Sequence, residues 1–117
     1  MTESNITIYH NPRCGKSRDT LALLRARGID PTVVEYLKTP PTKGELRLIL
    51  KKLGMRPEQL VRKGEDVYKN KLAGKSLSNE QWLEALATNP VLIERPIVVK
   101  GNSAVIGRPP ENALNLL

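Results

Sequence analysis

The order of apolar and polar residues divides the chain into short β-branched runs and longer stretches with a helical period. Residues 6–9, Ile-Thr-Ile-Tyr, lie between polar residues, which predicts a strand. From Cys14 onward apolar residues recur three and four positions apart, which predicts a helix that Gly28 ends with a left-handed cap. Residues 32–36 are predicted to form a second strand. A strand, helix and strand of this length imply a right-handed parallel crossover, so the helix lies across one face of a sheet.

The middle of the chain is predicted to be helical. Thr42 with Glu45, and Ser78 with Gln81, match the capping-box pattern, in which two side chains satisfy the free N–H groups at a helix start. Leucine and isoleucine follow the first box at helical spacing, and Gly54 is expected to end that helix. Both boxes therefore predict helices between the two β-rich parts of the chain.

The C-terminal part is predicted to contain a β-hairpin followed by a helix. Residues 97–99 and 104–106 are apolar runs on either side of Gly101 and Asn102, a pair that favours a tight turn, and two prolines at 109–110 introduce the last helix. The order of elements is thus β-α-β, a helical middle, a β-hairpin and α. This order predicts an α/β fold, a mixed four-stranded sheet with flanking helices and a helical insertion, which resembles the thioredoxin-like architecture.

Composition indicates one globular domain. With 117 residues, 39% of them hydrophobic and 26% charged, the chain fits a single folded domain over residues 1–117. Its longest apolar run, residues 21–24, is too short for a transmembrane helix, and the polar start, residues 1–5, is unlike a signal peptide. One cysteine excludes an intramolecular disulfide and a multi-cysteine zinc site, and one histidine excludes a histidine-rich metal site. We therefore expect a cytoplasmic protein without a metal ion.

The charge balance points to an anionic partner. Lysine and arginine number 19 against 12 aspartate and glutamate residues, which gives a net charge of +7. Such an excess suits a nucleic acid, a membrane surface or a small oxyanion. The basic residues form no tail, however, and aromatic residues that could stack on bases make up only 3% of the chain. We therefore expect an oxyanion, and neither a nucleic acid nor a membrane.

Cys14 is the strongest candidate for chemistry. It is predicted to lie on the first turn of a helix, where free backbone N–H groups and the helix dipole favour a thiolate and lower the pKa of the thiol. The alternative is an inert cysteine packed like a small apolar residue, but its polar and basic surroundings count against burial. His10, at the end of the first strand, could donate to the thiolate, orient the loop, or be purely structural. The neighbouring basic residues are Arg13, Lys16 and Arg18.

Three arginines stand in turn-like settings away from helix faces. Arg62 follows a short apolar stretch, Arg95 precedes Pro96, and Arg108 precedes two further prolines. A residue before proline is held extended and cannot continue a helix. In a thioredoxin-like plan the loop before the hairpin faces the cysteine loop, so Arg95 would approach Cys14 and Pro96 is a candidate cis-proline. The alternative for each arginine is a solvated surface charge.

Four segments, taken together, resemble the motifs of the glutaredoxin-dependent arsenate reductase family. They are ITIYHNPRCGKSR at residues 6–18, LVRK at 60–63, ERPIVV at 94–99 and GRP at 107–109. They occur in the family's order and span nearly the whole chain. The resemblance implies a thioredoxin-like fold and a single nucleophilic cysteine.

The resemblance also implies roles for particular residues. Cys14 matches the nucleophile, and His10 matches a histidine that helps to depress the pKa of the thiol. Arg62, Arg95 and Arg108 match three arginines that bind the arsenic oxyanion and the arsenite-bearing intermediate. Ser17 and Arg18 match helix residues that support the site.

The implied reaction is covalent and needs an external reductant. The thiolate attacks arsenate, glutathione then attacks the arsenic adduct, and glutaredoxin removes the glutathione to release arsenite. The residues themselves support one part of this scheme, since a chain with one cysteine must take its reducing thiol from outside. Glutathione is thus expected as a co-substrate, with no bound cofactor. Two alternatives remain open: a glutathione-dependent thiol oxidoreductase, and a non-catalytic protein-binding module of the same fold.

Overall fold

The structure is a computed structural model that describes residues 5–117, so residues 1–4 of the polar N-terminal segment lie outside it. Its sheet has four strands in the order β2-β1-β3-β4. β1 pairs in parallel with β2 and antiparallel with β3, and β3 pairs antiparallel with β4. The predicted mixed four-stranded sheet is therefore confirmed. The strands are β1 (Ile6–His10), β2 (Thr32–Glu35), β3 (Ile97–Lys100) and β4 (Ser103–Ile106).

Three α-helices and several shorter turns complete the secondary structure. The predicted last helix is a 3-10 helix, Pro110–Leu116, and a single π-helical turn at Tyr68–Leu72 has no counterpart in the sequence-based prediction. Within the described residues, every helix is too short or too polar to cross a lipid bilayer. The α-helices are α1 (Gly15–Ala26), α2 (Lys43–Leu53) and α3 (Asn79–Thr88), and two more 3-10 helices span Pro57–Leu60 and Pro90–Leu92.

Local sequence signals set the ends of the helices as expected. The Thr42 hydroxyl accepts the N–H of Glu45, and the Glu45 carboxylate accepts the N–H of Thr42, so the capping box at the start of α2 is confirmed. Ser78 and Gln81 form the same reciprocal pair before α3. Gly54 ends α2 with a φ of 69°, the left-handed conformation that glycine adopts without steric cost.

The chain divides into two compact units. The first comprises Met1–Thr39 with Arg95–Leu117 and holds the sheet, α1 and the C-terminal 3-10 helix; the second is Pro40–Glu94. The second unit is the predicted helical insertion. The single domain predicted over residues 1–117 stays a prediction, because a domain is defined by its ability to fold alone and compactness does not test that.

Each unit buries its own apolar side chains. In the first unit α1 and the C-terminal 3-10 helix pack together over the sheet. In the second, α3 packs against α2 and against the 3-10 helices Pro57–Leu60 and Pro90–Leu92. The core cluster of the first unit consists of Ile6, Ile8, Leu21, Leu24, Val98 and Ala113. The second unit buries Leu46, Ile49, Leu50, Leu60, Trp82, Leu83, Leu86, Leu92 and Ile93.

Gly107, at the end of β4, allows a close approach within the first unit. A Cβ atom at this position would lie 2.7 Å from Thr20 Oγ1 and 2.9 Å from Pro96 Cγ. Thr20 is fully buried on α1, so it has no free space to move into. The Gly107 N–H donates to the Pro96 carbonyl at 2.9 Å. A glycine here therefore brings α1, the start of β3 and the end of β4 together, next to Arg108.

We expect Gly107→Ala to lower the free energy of unfolding by about 1–3 kcal/mol, the usual cost of overpacking a tight core. Denaturant unfolding followed by circular dichroism measures the change. Gly64→Ala is the matched control, because a Cβ there meets nothing within 4 Å, and it should change stability by less than about 0.5 kcal/mol. Equal stability of the two variants would contradict the close-approach argument.

Candidate active site

The loop between β1 and α1 presents the Cys14 thiol. The Asn11 carbonyl accepts the N–H of Cys14, and the Asn11 side-chain oxygen accepts the N–H of Arg13, both at 3.0 Å. Cys14 is the residue immediately before α1, and its carbonyl accepts the first helical N–H, that of Arg18. Its side chain is partly exposed. The predicted position of the thiol at the N-terminus of the helix is thus confirmed.

Residues of α1 hold this loop in place through hydrogen bonds. Ser17 is fully buried, and its hydroxyl lies 2.6 Å from Nδ1 of His10 and accepts the N–H of Asn11 at 3.0 Å. Arg18 Nη1 donates to the Pro12 carbonyl at 3.0 Å. These contacts tie both ends of the loop to the first turns of the helix. Of the roles considered for His10, these contacts favour orientation of the loop.

His10 is neutral at physiological pH. Burial lowers the pKa of the imidazole; the Glu35 carboxylate opposes this effect, whereas Arg25 and Arg18 add to it. A neutral imidazole adds no positive charge beside Cys14. The side-chain contact through which His10 can act on the loop is its hydrogen bond to Ser17.

Two of the arginines predicted from the sequence, Arg95 and Arg108, lie close to the Cys14 thiol. The Arg95 guanidinium lies near enough to Cys14 to stabilise its thiolate, as the approach predicted by the thioredoxin-like plan requires. Arg108 Nη1 lies 3.9 Å from the sulfur and donates to the Arg95 carbonyl at 3.1 Å. The Arg95–Pro96 peptide bond is cis, as predicted, and so is Arg108–Pro109, which was not predicted. Two positively charged groups thus lie beside the sulfur.

The surroundings of Cys14 favour its thiolate. Burial alone would raise the pKa of the thiol. The backbone N–H groups of Ser17 and Lys16 and the Arg95 guanidinium interact with the charged form, and together they lower the pKa below its usual value. Partial exposure and a lowered pKa describe a reactive thiol and not an inert packed cysteine.

Arg62 belongs to the second unit. Its Nε lies 3.3 Å from a carboxylate oxygen of Glu65, and its Nη1 lies 3.1 Å from one of Glu94. Its backbone N–H donates to the Leu92 carbonyl at 2.7 Å. Arg62 is therefore an ion-paired, partly buried side chain, which is inconsistent with a solvated surface charge. Its role in oxyanion binding stays a prediction.

Sequence reasoning missed two residues of the cysteine loop and its surroundings. Asn11 accepts two hydrogen bonds within the loop, one through its carbonyl and one through its side chain. Tyr36 is only 1% exposed and interacts electrostatically with Arg95 and Cys14. The sequence does hold a signal for Tyr36, because parallel strands end at the same edge of a sheet and this residue directly follows β2.

Comparison with known proteins reveals close relatives. The model of the ArsC family matches residues 9–116. The uncharacterized protein YfgD of Escherichia coli strain K12 is 52% identical over 114 residues, 96% of each chain. An arsenate reductase of Rhizobium meliloti strain 1021 is 45% identical over 113 residues, 96% of this chain and 81% of the relative. The solved structure of an arsenate reductase from Vibrio cholerae matches with a TM-score of 0.95 at 45% identity and covers 100% of both chains. The predicted thioredoxin-like α/β fold is confirmed.

We expect the alkylation rate of Cys14 to titrate below the pKa of a free cysteine. Arg95→Gln should raise the midpoint, because it removes a positive charge that favours the thiolate. The rate of reaction with iodoacetamide, measured across pH, tests both statements. Arg27→Gln removes an equal charge from an exposed position at the far end of α1 and should leave the midpoint in place. A wild-type midpoint equal to that of free cysteine would contradict the activated thiol.

Proposed function

Because the chain belongs to the ArsC family, we propose that it reduces arsenate to arsenite with Cys14 as the nucleophile. The observation that carries the proposal is the partly exposed thiol beside the Arg95 and Arg108 guanidinium groups. A thiolate attacks an electrophilic centre, and cationic groups beside it attract an anion that carries such a centre. Arsenate combines both properties.

Arg95 and Arg108 bind the oxyanion and neutralise the charge that develops on its oxygens. Arg62 is proposed as the third binding arginine on the strength of its match to the family motif. Ser17 and Arg18 act as positioning residues through their contacts with the cysteine loop. His10 acts through Ser17 in the same way.

The first chemical step forms a bond between sulfur and arsenic. The Cys14 thiolate donates its electron pair to arsenic, and one arsenate oxygen leaves as water after it takes up protons. Arsenic remains in its oxidised, pentavalent state in this adduct. The lowered pKa of Cys14 helps this step, because it increases the fraction of thiolate at neutral pH.

Reduction requires two external thiols, for which we propose glutathione and glutaredoxin. Glutathione attacks the adduct and displaces a second water, so that arsenic is bonded to both sulfurs. The glutaredoxin thiolate then attacks the glutathione sulfur, and the electron pair of the broken arsenic–sulfur bond stays on arsenic. Water releases arsenite and restores Cys14. Overall, arsenate and two thiols give arsenite, one disulfide and one water.

The single cysteine of the chain favours this external route over an internal relay of cysteines. A free cysteine that acts as a nucleophile also suits the reducing environment of the cytoplasm, where we propose that the protein works. A glutathione-dependent thiol oxidoreductase is the second candidate, since the same activated thiol would attack a mixed disulfide.

We expect Cys14→Ser to abolish arsenate turnover, because a serine hydroxyl stays protonated at neutral pH and cannot replace the thiolate. The measurement is NADPH consumption with arsenate, glutathione, glutaredoxin and glutathione reductase. Arg27→Gln serves as the active control, and omission of glutaredoxin should stop the wild-type reaction. Turnover by Cys14→Ser would contradict the covalent mechanism. A wild type that reduces a glutathionylated peptide faster than arsenate would favour the second candidate.

A further inference from the structure

Tyr36 carries a buried hydroxyl that the proposed chemistry does not yet use. The side chain is 1% exposed, and its hydroxyl is shielded from solvent and has no hydrogen-bond partner among residues 5–117. Buried hydroxyl groups in native proteins are nearly always hydrogen-bonded, since an unsatisfied one costs free energy. An exception beside a reactive thiol therefore requires an explanation.

The register of the sheet places Tyr36 next to the cysteine loop. His10 at the end of β1 pairs with Glu35 at the end of β2, and the strands run parallel. Asn11 and Tyr36 are therefore the next residues along at the same edge. The Asn11 carbonyl accepts the N–H of Cys14 at 3.0 Å. A residue at this edge of the sheet is therefore hydrogen-bonded directly to the reactive cysteine.

The groups around the hydroxyl are those of the active site. Arg95 and Asn11 lie near enough to interact with it electrostatically, although neither meets the distance and angle of a hydrogen bond to it. Cys14 also interacts with it through charge. Burial raises the pKa of Tyr36; Arg95 opposes this effect and Cys14 adds to it, so the hydroxyl keeps its proton. It is a hydrogen-bond donor that lacks an acceptor.

Accessibility determines which acceptor can reach it. The hydroxyl is shielded from solvent, whereas Cys14 is partly exposed. A free oxyanion meets the thiol and its arginines before it can meet the hydroxyl. Once bonded to the sulfur, the oxyanion carries oxygens one bond beyond it. Such an oxygen would supply the acceptor that the hydroxyl lacks, since the hydroxyl and Cys14 interact through charge without a hydrogen bond between them.

We propose that the Tyr36 hydroxyl donates a hydrogen bond to an oxygen of the oxyanion after this has become attached to Cys14. The inference rests on the proposed function, since it requires a sulfur-bound oxyanion. Arg95 and Arg108 attract the anion before and after bond formation, whereas Tyr36 acts only on the adduct and on the transition state that leads to it. An interaction made only at that stage raises kcat/KM for arsenate and leaves the initial binding of the free anion unchanged.

Tyr36→Phe tests the proposal, because it removes the hydroxyl and keeps the ring. We expect kcat/KM for arsenate to fall by roughly 10- to 100-fold. The melting temperature should stay the same or rise, since the variant loses an unpaired buried hydroxyl. A structural role of the hydroxyl would instead lower the melting temperature.

Tyr68→Phe is the matched control, because it removes a hydroxyl from a ring that stacks on Trp82 in the second unit. It should leave kcat and KM unchanged. Tyr36→Phe with wild-type kcat/KM would overturn the proposal, and so would a lowered melting temperature.

A second measurement separates this inference from the proposed function. Arsenate, added without glutathione, should protect wild-type Cys14 from alkylation by forming the adduct, and should protect the Tyr36→Phe variant less. Protection of the wild type without turnover would contradict the proposed reductants. Weaker protection of the Tyr36→Phe variant would still support the role of Tyr36 in that case. Equal protection of both would overturn the role of Tyr36 alone. An unprotected wild type would overturn both, because no adduct forms.

Discussion

The candidate site depends on the stabilisation of a negative charge on the Cys14 sulfur. Partial burial disfavours that charge, and without compensation the thiol would stay protonated and unreactive at neutral pH. Two backbone N–H groups at the start of α1 and the Arg95 guanidinium supply the compensation. The two N–H groups are fixed by the helix backbone, so they need little reorganisation when the anion binds.

The rest of the first unit keeps those donors in place. The Ser17 hydroxyl is hydrogen-bonded to His10 and to the N–H of Asn11. These contacts tie the end of β1 and the cysteine loop to α1. Gly107 lets the end of β4 approach α1 closely, which brings Arg108 to the sulfur. The core under α1 is built from leucine, isoleucine, valine and alanine, whose rotamers are well defined. A rigid scaffold of this kind suits a site that must hold two arginines beside one thiol.

Features that depend on neighbours in sequence were predicted well. The two capping boxes, the glycine that ends α2 and the turn between β3 and β4 each involve residues at most four positions apart, so their chemistry is complete within a short segment. The π-helical turn at Tyr68–Leu72 and the 3-10 form of the last helix were not predicted. Helical periodicity does not distinguish α, 3-10 and π geometry over one or two turns, and packing makes the choice.

The sequence by itself determined the chemistry that is available: one cysteine at a helix start, a surplus of cations, and a reducing thiol that must come from outside. It also predicted that Arg95 approaches Cys14, because the order of strands and helices limits the topology. Only the tertiary structure decided that Arg108, 94 residues away in the chain, lies 3.9 Å from the sulfur and that Tyr36 buries its hydroxyl beside them. The physical reason is that contacts across a sheet depend on register and on close packing, which no local pattern of residues contains.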